Sequence, residues 1–268
     1  MGIKIAHEAP NQLFNHVSQR TDYDYCLVHL YVENETYRNH FKKAKQNGRE
    51  IILDTSIFEL GSSFDESAYI KIIEELQPTW YIIPDVIGDA IATTKKASQW
   101  CSLIRKDLPF SKPIAVLHGK TYVQIKACYE HYNYDLDVPN IAIPFHLPYY
   151  QDLIKNANRD VNNMLGRVTL ISYLLADGTI NVNKHHHLLG VSLPQEGLFY
   201  KNSDYSFITS IDSSSPVLHG IQNVRYFPYG LLTKNNTKLF TLIDHQYDLN
   251  AIIEGVDYNI DLFKNFFN

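Results

Sequence analysis

The stretch that decides the fold is Phe207-Ile-Thr-Ser-Ile-Asp212-Ser-Ser-Ser-Pro216-Val-Leu-His219-Gly220. A short β-prone run leads directly into an aspartate and then into a Ser/Pro/Gly loop, the pattern by which a buried parallel strand delivers a carboxylate to its C-terminal end. Asp212 is therefore a candidate nucleophile. An aspartate before a serine run can also simply cap a turn. Other runs in the chain end the same way, and they shift the balance toward a site.

Working outward, the strand candidates are Cys26–Tyr31, Glu50–Asp54, Trp80–Asp85, Pro113–His118, Asn140–Phe145, His187–Ser192 and Phe207–Asp212. Between them lie Asn34–Gln46, Glu66–Leu76, Ala90–Leu108, Val123–Tyr132 and Gln151–Leu175, most with apolar residues at helical spacing, such as Tyr69, Ile72, Ile73 and Leu76. An eighth strand is available from Ile3–Ala6 or from Tyr229–Leu232. Alternating βα units with no Pro/Gly/Ser-rich linker predict α/β architecture, with residues 1–268 forming a single (β/α)8 barrel of TIM type. The sixth helix, near Gln195–Tyr200, is short, and Leu239–Asn268 reads as one or two helices closing the barrel.

In such a barrel the active site lies at the C-terminal ends of the strands. The residues expected there are Asp54, Asp85, His118, Phe145 with His146, Ser192 and Asp212. An apolar barrel core gains nothing from carboxylates, whose desolvation costs energy, so Asp54, Asp85 and Asp212 are expected to share one functional pocket. Two chemistries use such a set. A divalent-metal site would call for His and carboxylate ligands in motifs such as HExxH, which is absent. The run His185-His-His187 is placed at a strand entry, on the face opposite Asp212, where a surface or structural role is expected. Cys26, Cys101 and Cys128 are too scattered for a zinc ribbon or a disulfide framework. The other chemistry is that of retaining glycosidases, in which one carboxylate attacks the anomeric carbon and another manages the proton. It needs no metal and no cofactor, and none is expected.

Composition sets the surroundings. No segment approaches a membrane-spanning apolar run and the N-terminus lacks an export pattern, so a cytoplasmic protein is expected. A formal charge of -5 argues weakly against a nucleic-acid partner, but a local basic face decides that question. The 19 tyrosines and 13 phenylalanines leave ample surface for stacking on bases.

The order of these strand-end motifs resembles the tRNA-guanine transglycosylase superfamily, including the DNA-modifying 7-deazaguanine transglycosylases of bacteria and phages, over Glu50 to Gly220. Ile51-Ile-Leu-Asp54-Thr-Ser-Ile-Phe58 is similar to the family's Asp-Ser-Gly-Gly-Tyr/Phe segment. The resemblance implies Asp54 as the catalytic acid/base and Phe58 as the base-stacking aromatic. Ile83-Pro-Asp85 resembles the Asp-Glu-Cys strand end, implying that Asp85 reads the base edge. Val116-Leu-His118-Gly119 stands in place of Val-Gln-Gly-Gly, Ala142-Ile-Pro-Phe145 in place of Ala-hydrophobic-Gly-Gly, and His187-Leu-Leu189-Gly190-Val-Ser in place of Tyr-Leu-Met-Gly-Val-Gly. Ile211-Asp212 occupies the position of the family's nucleophile.

The departures are informative. The family's CxCxxC zinc motif and its subdomain are missing, which favours DNA over tRNA as the partner. His118, Lys120 and Phe145 replace the Gln and Gly residues of a guanine-sized pocket and imply a differently shaped, modified base. The resulting expectation is a DNA glycosylase acting on a flipped-out base. The base is held between Phe58 and a wall near Leu189 and Gly190, with Asp85, His118, Lys120, Phe145 and His146 around it. Arg225, Lys234 and Lys238 are the expected phosphate contacts, whereas Glu59 and the run Lys42, Lys43, Lys45 and Arg49 are expected to face solvent. Base exchange on DNA or tRNA and a silent nucleic-acid-binding barrel are the alternatives.

Overall fold

The computed structural model describes residues 2–268, the side chains of 103–107 excepted. Eight parallel strands follow one another around a barrel: β1 (Lys4–Ala6), β2 (Asp24–Leu27), β3 (Ile51–Asp54), β4 (Trp80–Ile82), β5 (Lys112–Val116), β6 (Asn140–Pro144), β7 (His185–Leu189) and β8 (Ile208–Asp212). Each strand from β2 to β8 pairs with its sequence neighbour, and β1 pairs with β8, setting Ala6 beside Asp212. At the β1/β2 seam the Ile5 N–H donates to Asp22 Oδ2 at 2.8 Å and the Asp22 N–H donates to the Ile5 carbonyl at 2.9 Å. Tyr23 crosses beneath this seam and donates its hydroxyl to the Ile211 carbonyl at 2.6 Å. The protein is thus a (β/α)8 barrel of TIM type.

The eighth strand is the N-terminal one, so Ile3–Ala6 rather than Tyr229–Leu232 completes the barrel. The run Cys26–Tyr31, expected as one strand, leaves the sheet after Leu27 and coils into the helix Val28–Glu33. The Leu27 N–H there donates to the Tyr37 hydroxyl, which helps turn the chain out of the ladder. The helix expected over Gln151–Leu175 is two helices, Tyr150–Leu153 and Arg159–Ala176. Between them Asn156 and Asn158 bond backbone N–H groups with their side chains, and Asn158 caps the longer helix through Asp160 and Val161. The short helix expected near Gln195–Tyr200 is a 3₁₀ turn, Pro194–Tyr200, in the connection between β7 and β8.

Helix Leu249–Phe267 closes the barrel by packing on helix Ser215–Ile221, where Gly220 is required: a Cβ there would sit 2.6 Å from Val256 Cα. Asn259 locks this contact, donating to the Val224 carbonyl at 2.9 Å and accepting from the Tyr226 N–H at 2.8 Å. Beneath the strand entries, Arg49 forks onto Asp24 with contacts of 2.9 and 3.0 Å, so it braces β2 instead of lying on a solvated face. Among the described residues no helix is long and apolar enough to cross a membrane.

Candidate active site

Asp212 ends β8 and is 4% exposed. Its Oδ1 accepts two bonds at 3.0 Å, one from the Gly190 N–H and one from His187 Nε2. Gly190 adopts φ +64, a left-handed turn that a side chain would strain, and this turn directs its N–H at the carboxylate. The other ring nitrogen of His187 meets Ser210 Oγ at 2.9 Å. Because an ionised carboxylate only accepts, Nε2 carries the proton facing it, and the Ser210 hydroxyl can satisfy Nδ1. One carboxylate oxygen is therefore pinned, while no described hydrogen bond occupies Oδ2.

The placement of His187 overturns the reading of the histidine run as an entry-side feature remote from Asp212. β7 begins at His185, two residues earlier than expected, and the register between β7 and β8 shifts at His186/His187. His187 consequently lies fully buried against Ser210 and Asp212, while His186 stacks on Tyr129 with planes 5° apart.

Asp54 ends β3, two strands around from β1. The Tyr25 hydroxyl donates to its Oδ2 at 2.7 Å and the Ser56 N–H to its Oδ1. Burial, followed by repulsion from Glu59, pushes the Asp54 carboxyl up to about 8 against the opposing help of these two donors; Asp212 adds further repulsion. Glu59 does not face solvent as expected. It is half-buried, and burial together with Asp212 raises its pKa while its own backbone N–H and Lys238 oppose the rise.

Glu8, immediately beyond β1, completes the group. Burial raises its pKa well above the carboxylate range, and Asp212, Glu59 and Asp54 all push in the same direction. The sequence reading passed over Glu8. The signal was present, since Ile3–Ala6 followed by His7-Glu8 repeats the pattern of a strand ending in an ionisable residue. Beside it, His7 donates from Nδ1 to the Ser213 carbonyl at 2.8 Å, and burial lowers its pKa to about 3, so it braces the β8 loop as a neutral ring.

Asp85 and His118 form a separate pair beyond β4 and β5. His118 Nε2 donates to Asp85 Oδ2 at 2.5 Å, and its Nδ1 accepts from the Gly88 N–H at 3.2 Å. Both ring nitrogens are thereby used within the protein, so His118 orients Asp85 and is not the free donor to a base that the sequence suggested. Asp85 Oδ1 is buried without a partner, leaving one acceptor for a ligand donor. Asp54 and Asp212 thus interact with Glu8 and Glu59, while Asp85 takes His118 as its side-chain partner.

The wall between β6 and β7 is built on a fully buried ion pair. Arg167 forks onto Glu196 with two 2.7 Å contacts, donates to the Leu189 carbonyl at 2.7 Å, and lies 5.2 Å over the Phe145 ring. Phe145 is buried, Leu189 and His146 are half-buried, and burial and nearby Arg159 lower the His146 pKa. On the opposite rim Phe58 is 62% exposed with the Lys234 ammonium 5.3 Å over its ring. Lys238 lies over Phe240 and interacts with Glu59, and Lys120 is exposed beyond β5. Arg225 does not join them. It pairs with Glu254 at 2.6 Å and stacks on Tyr258, both on the closing helix, because the chain after β8 first runs along helix Ser215–Ile221.

Among the described residues no group of three or more His, Cys, Asp or Glu side chains is arranged to hold a metal ion. An open groove of about 660 Å³ between helices Ala90–Asp107 and Tyr122–Glu130 lies away from these carboxylates. Compared with family models and with curated proteins, the chain matches none.

Proposed function

We propose that the protein is a DNA glycosylase that cleaves the N-glycosidic bond of a flipped-out, modified base and leaves an abasic site. The observation that carries this reading is the contrast between two carboxyls of one cluster. Asp212 has one oxygen pinned by Gly190 and His187 and the other free of described bonds, while Asp54 holds its proton up to about pH 8. Two carboxyls with separated roles are what a retaining displacement requires.

In the first step Asp212 Oδ2 attacks C1′ of the deoxyribose. The C1′–N bond breaks with its electron pair passing to the base, and Asp54 supplies the proton that lets the base leave. In the second step the Asp54 carboxylate takes a proton from water, whose oxygen attacks C1′ and releases Asp212. The base occupies the space between Phe58 and the Leu189/Gly190 wall, and Asp85, held by His118, accepts from its edge. Lys234 and Lys238 meet the flanking phosphates, with Lys120 and His146 on the adjoining rim. Phe145, packed under Arg167, narrows the wall and supports a base shaped differently from guanine. The resemblance to the transglycosylase superfamily supports the same nucleophile.

Incubation with modified and unmodified DNA, followed by alkali, tests the reading. Strand breaks on modified DNA and base released in equal amount are expected, and Asp212→Ala abolishes both while holding DNA affinity within a few fold. Intact strands that incorporate labelled free 7-deazaguanine would instead establish base exchange. DNA binding without release or exchange would leave only the binding barrel.

A further inference from the structure

The segment from Arg225 to Phe240 runs across the C-terminal face as a strap, and its exposed aromatic residues have no part in the chemistry above. It is anchored at several points. Tyr226 is buried and donates its hydroxyl to Ser215 Oγ at 2.7 Å. Gln195, beyond β7, brackets Leu231, accepting its N–H at 3.0 Å and donating to its carbonyl at 2.6 Å. Farther along, Asn158 donates to the Leu232 carbonyl at 2.5 Å, and Asp160 accepts the Lys234 N–H at 2.9 Å. Lys234 then reaches Phe58 on the β3 side.

Within this strap Phe227-Pro228-Tyr229-Gly230 forms a tight turn closed by the Gly230 N–H donating to the Phe227 carbonyl at 2.9 Å. Proline at the second position presets the turn, and Gly230 takes φ +104 at its end. The turn stacks the rings of Phe227 and Tyr229 with centroids 5.5 Å apart and planes 3° apart. They nevertheless remain 54% and 71% exposed. Leaving such area in water is unfavourable, and a fixed turn keeps the pair in place without further ordering on binding. Continuing along the strap, Lys234 covers Phe58 and Lys238 covers Phe240, and neither ammonium is in a described salt bridge. The row therefore alternates aromatic faces with cations, the combination that takes the bases and phosphates of an unpaired strand. A duplex keeps its base faces stacked on one another and cannot use it.

We propose that this strap binds a single-stranded nucleic-acid segment, with the Phe227/Tyr229 pair stacking on a base that flanks the nucleotide in the barrel mouth. The assignment of nucleic acid rests on the glycosylase reading, and it adds that the substrate is presented unpaired. A two-fold contact between copies through this row would set its cations against one another, so the charge of the row favours a polyanion.

The test is fluorescence anisotropy on the full chain with an unmodified 12-nucleotide DNA strand, the RNA strand of the same sequence, and the DNA duplex. Either single strand is expected to bind at least tenfold more tightly than the duplex, and the tighter of the two identifies the natural chemistry. The double variant Phe227→Ala/Tyr229→Ala is expected to lose roughly tenfold or more of single-strand affinity at unchanged Tm, the scale of one lost base stack. Lys234→Gln should flatten the salt dependence of binding. Equal or tighter duplex binding, or undiminished affinity in the double variant, overturns the proposal. So does a dimer that the double variant dissolves, since the patch would then be a protein contact. Single-strand binding without base release from any DNA would retain the strap and end the glycosylase reading. Base release from duplex alone would do the reverse.

Discussion

The rings of Tyr25 and His187 lie parallel, with centroids 6.0 Å apart and planes 10° apart, and each holds a different carboxyl of the site. Tyr25 donates to Asp54 and His187 contacts Asp212, so the stack couples the positions of the proposed acid and nucleophile across the barrel interior. Both rings are buried, and burial keeps the Tyr25 hydroxyl protonated far above neutral pH, so it remains a donor.

This relationship predicts that His187→Ala slows base release by roughly 10²-fold through loss of orientation at Asp212. KM should move little, since His187 is buried behind the nucleophile and does not reach the substrate. Single-turnover release measured beside DNA affinity separates the two. A large loss of affinity with an unchanged chemical step would refute the positioning role.

The pH dependence follows from Asp54. Its folded value of about 8 lies above its ordinary value of 3.8, so the folded state holds a proton that the unfolded chain has already lost between those values. The contribution of Asp54 to stability is therefore complete below about pH 4 and is lost progressively as pH rises to about 8. Asp54→Asn, which cannot ionise, should raise Tm relative to the parent increasingly from pH 4 to pH 8 and by a constant amount above that. In the parent, kcat/KM for base release should fall as pH rises through about 8, because the acid is then deprotonated. Thermal melts and rate profiles across this range check both statements.

For the Asp85/His118 pair, His118→Ala removes the only described side-chain partner of a buried carboxylate. A stability loss of about 3–5 kcal/mol is expected, the usual consequence of leaving a buried charge without its partner. His118→Gln should recover part of it, because the amide can still donate to Asp85. Urea unfolding of the two variants provides the comparison.

The Arg167/Glu196 pair makes a different prediction. Both side chains are fully buried, and Tyr200 also donates to Glu196 at 2.8 Å. Glu196→Ala should destabilise by about 3–5 kcal/mol. It should also weaken base release, because Arg167 would no longer be held over the Phe145 ring and against the Leu189 carbonyl. Arg167→Met combined with Glu196→Leu should restore much of the stability without restoring the wall's hydrogen bond to Leu189. Melting temperature and activity should therefore part company in the double variant.

Whereas the strand expected to end at Asp85 stops at Ile82 and leaves Asp85 in the following loop, the amino-acid sequence by itself determined the barrel and the strand-end positions of Asp54 and Asp212. Both are local properties: a β-prone run bounded by a loop fixes where a strand ends, and the alternation of such runs with helical periods fixes the class of fold. Tertiary structure decided which of these side chains meet. Glu8 joins the carboxylates because β1 pairs with β8 and brings Ala6 beside Asp212, a contact between the first and last strands of the barrel. His187 reaches Asp212 because a register shift between β7 and β8 intervenes, and a one-residue slip is enough to exchange the two faces of a strand. Asp85 is drawn to His118 by the adjacency of their strands, and Arg225 is drawn to Glu254 by the closing helix. Strand ends can be read from neighbouring residues, whereas the partners of a buried charge depend on barrel closure and register, which the whole chain sets together.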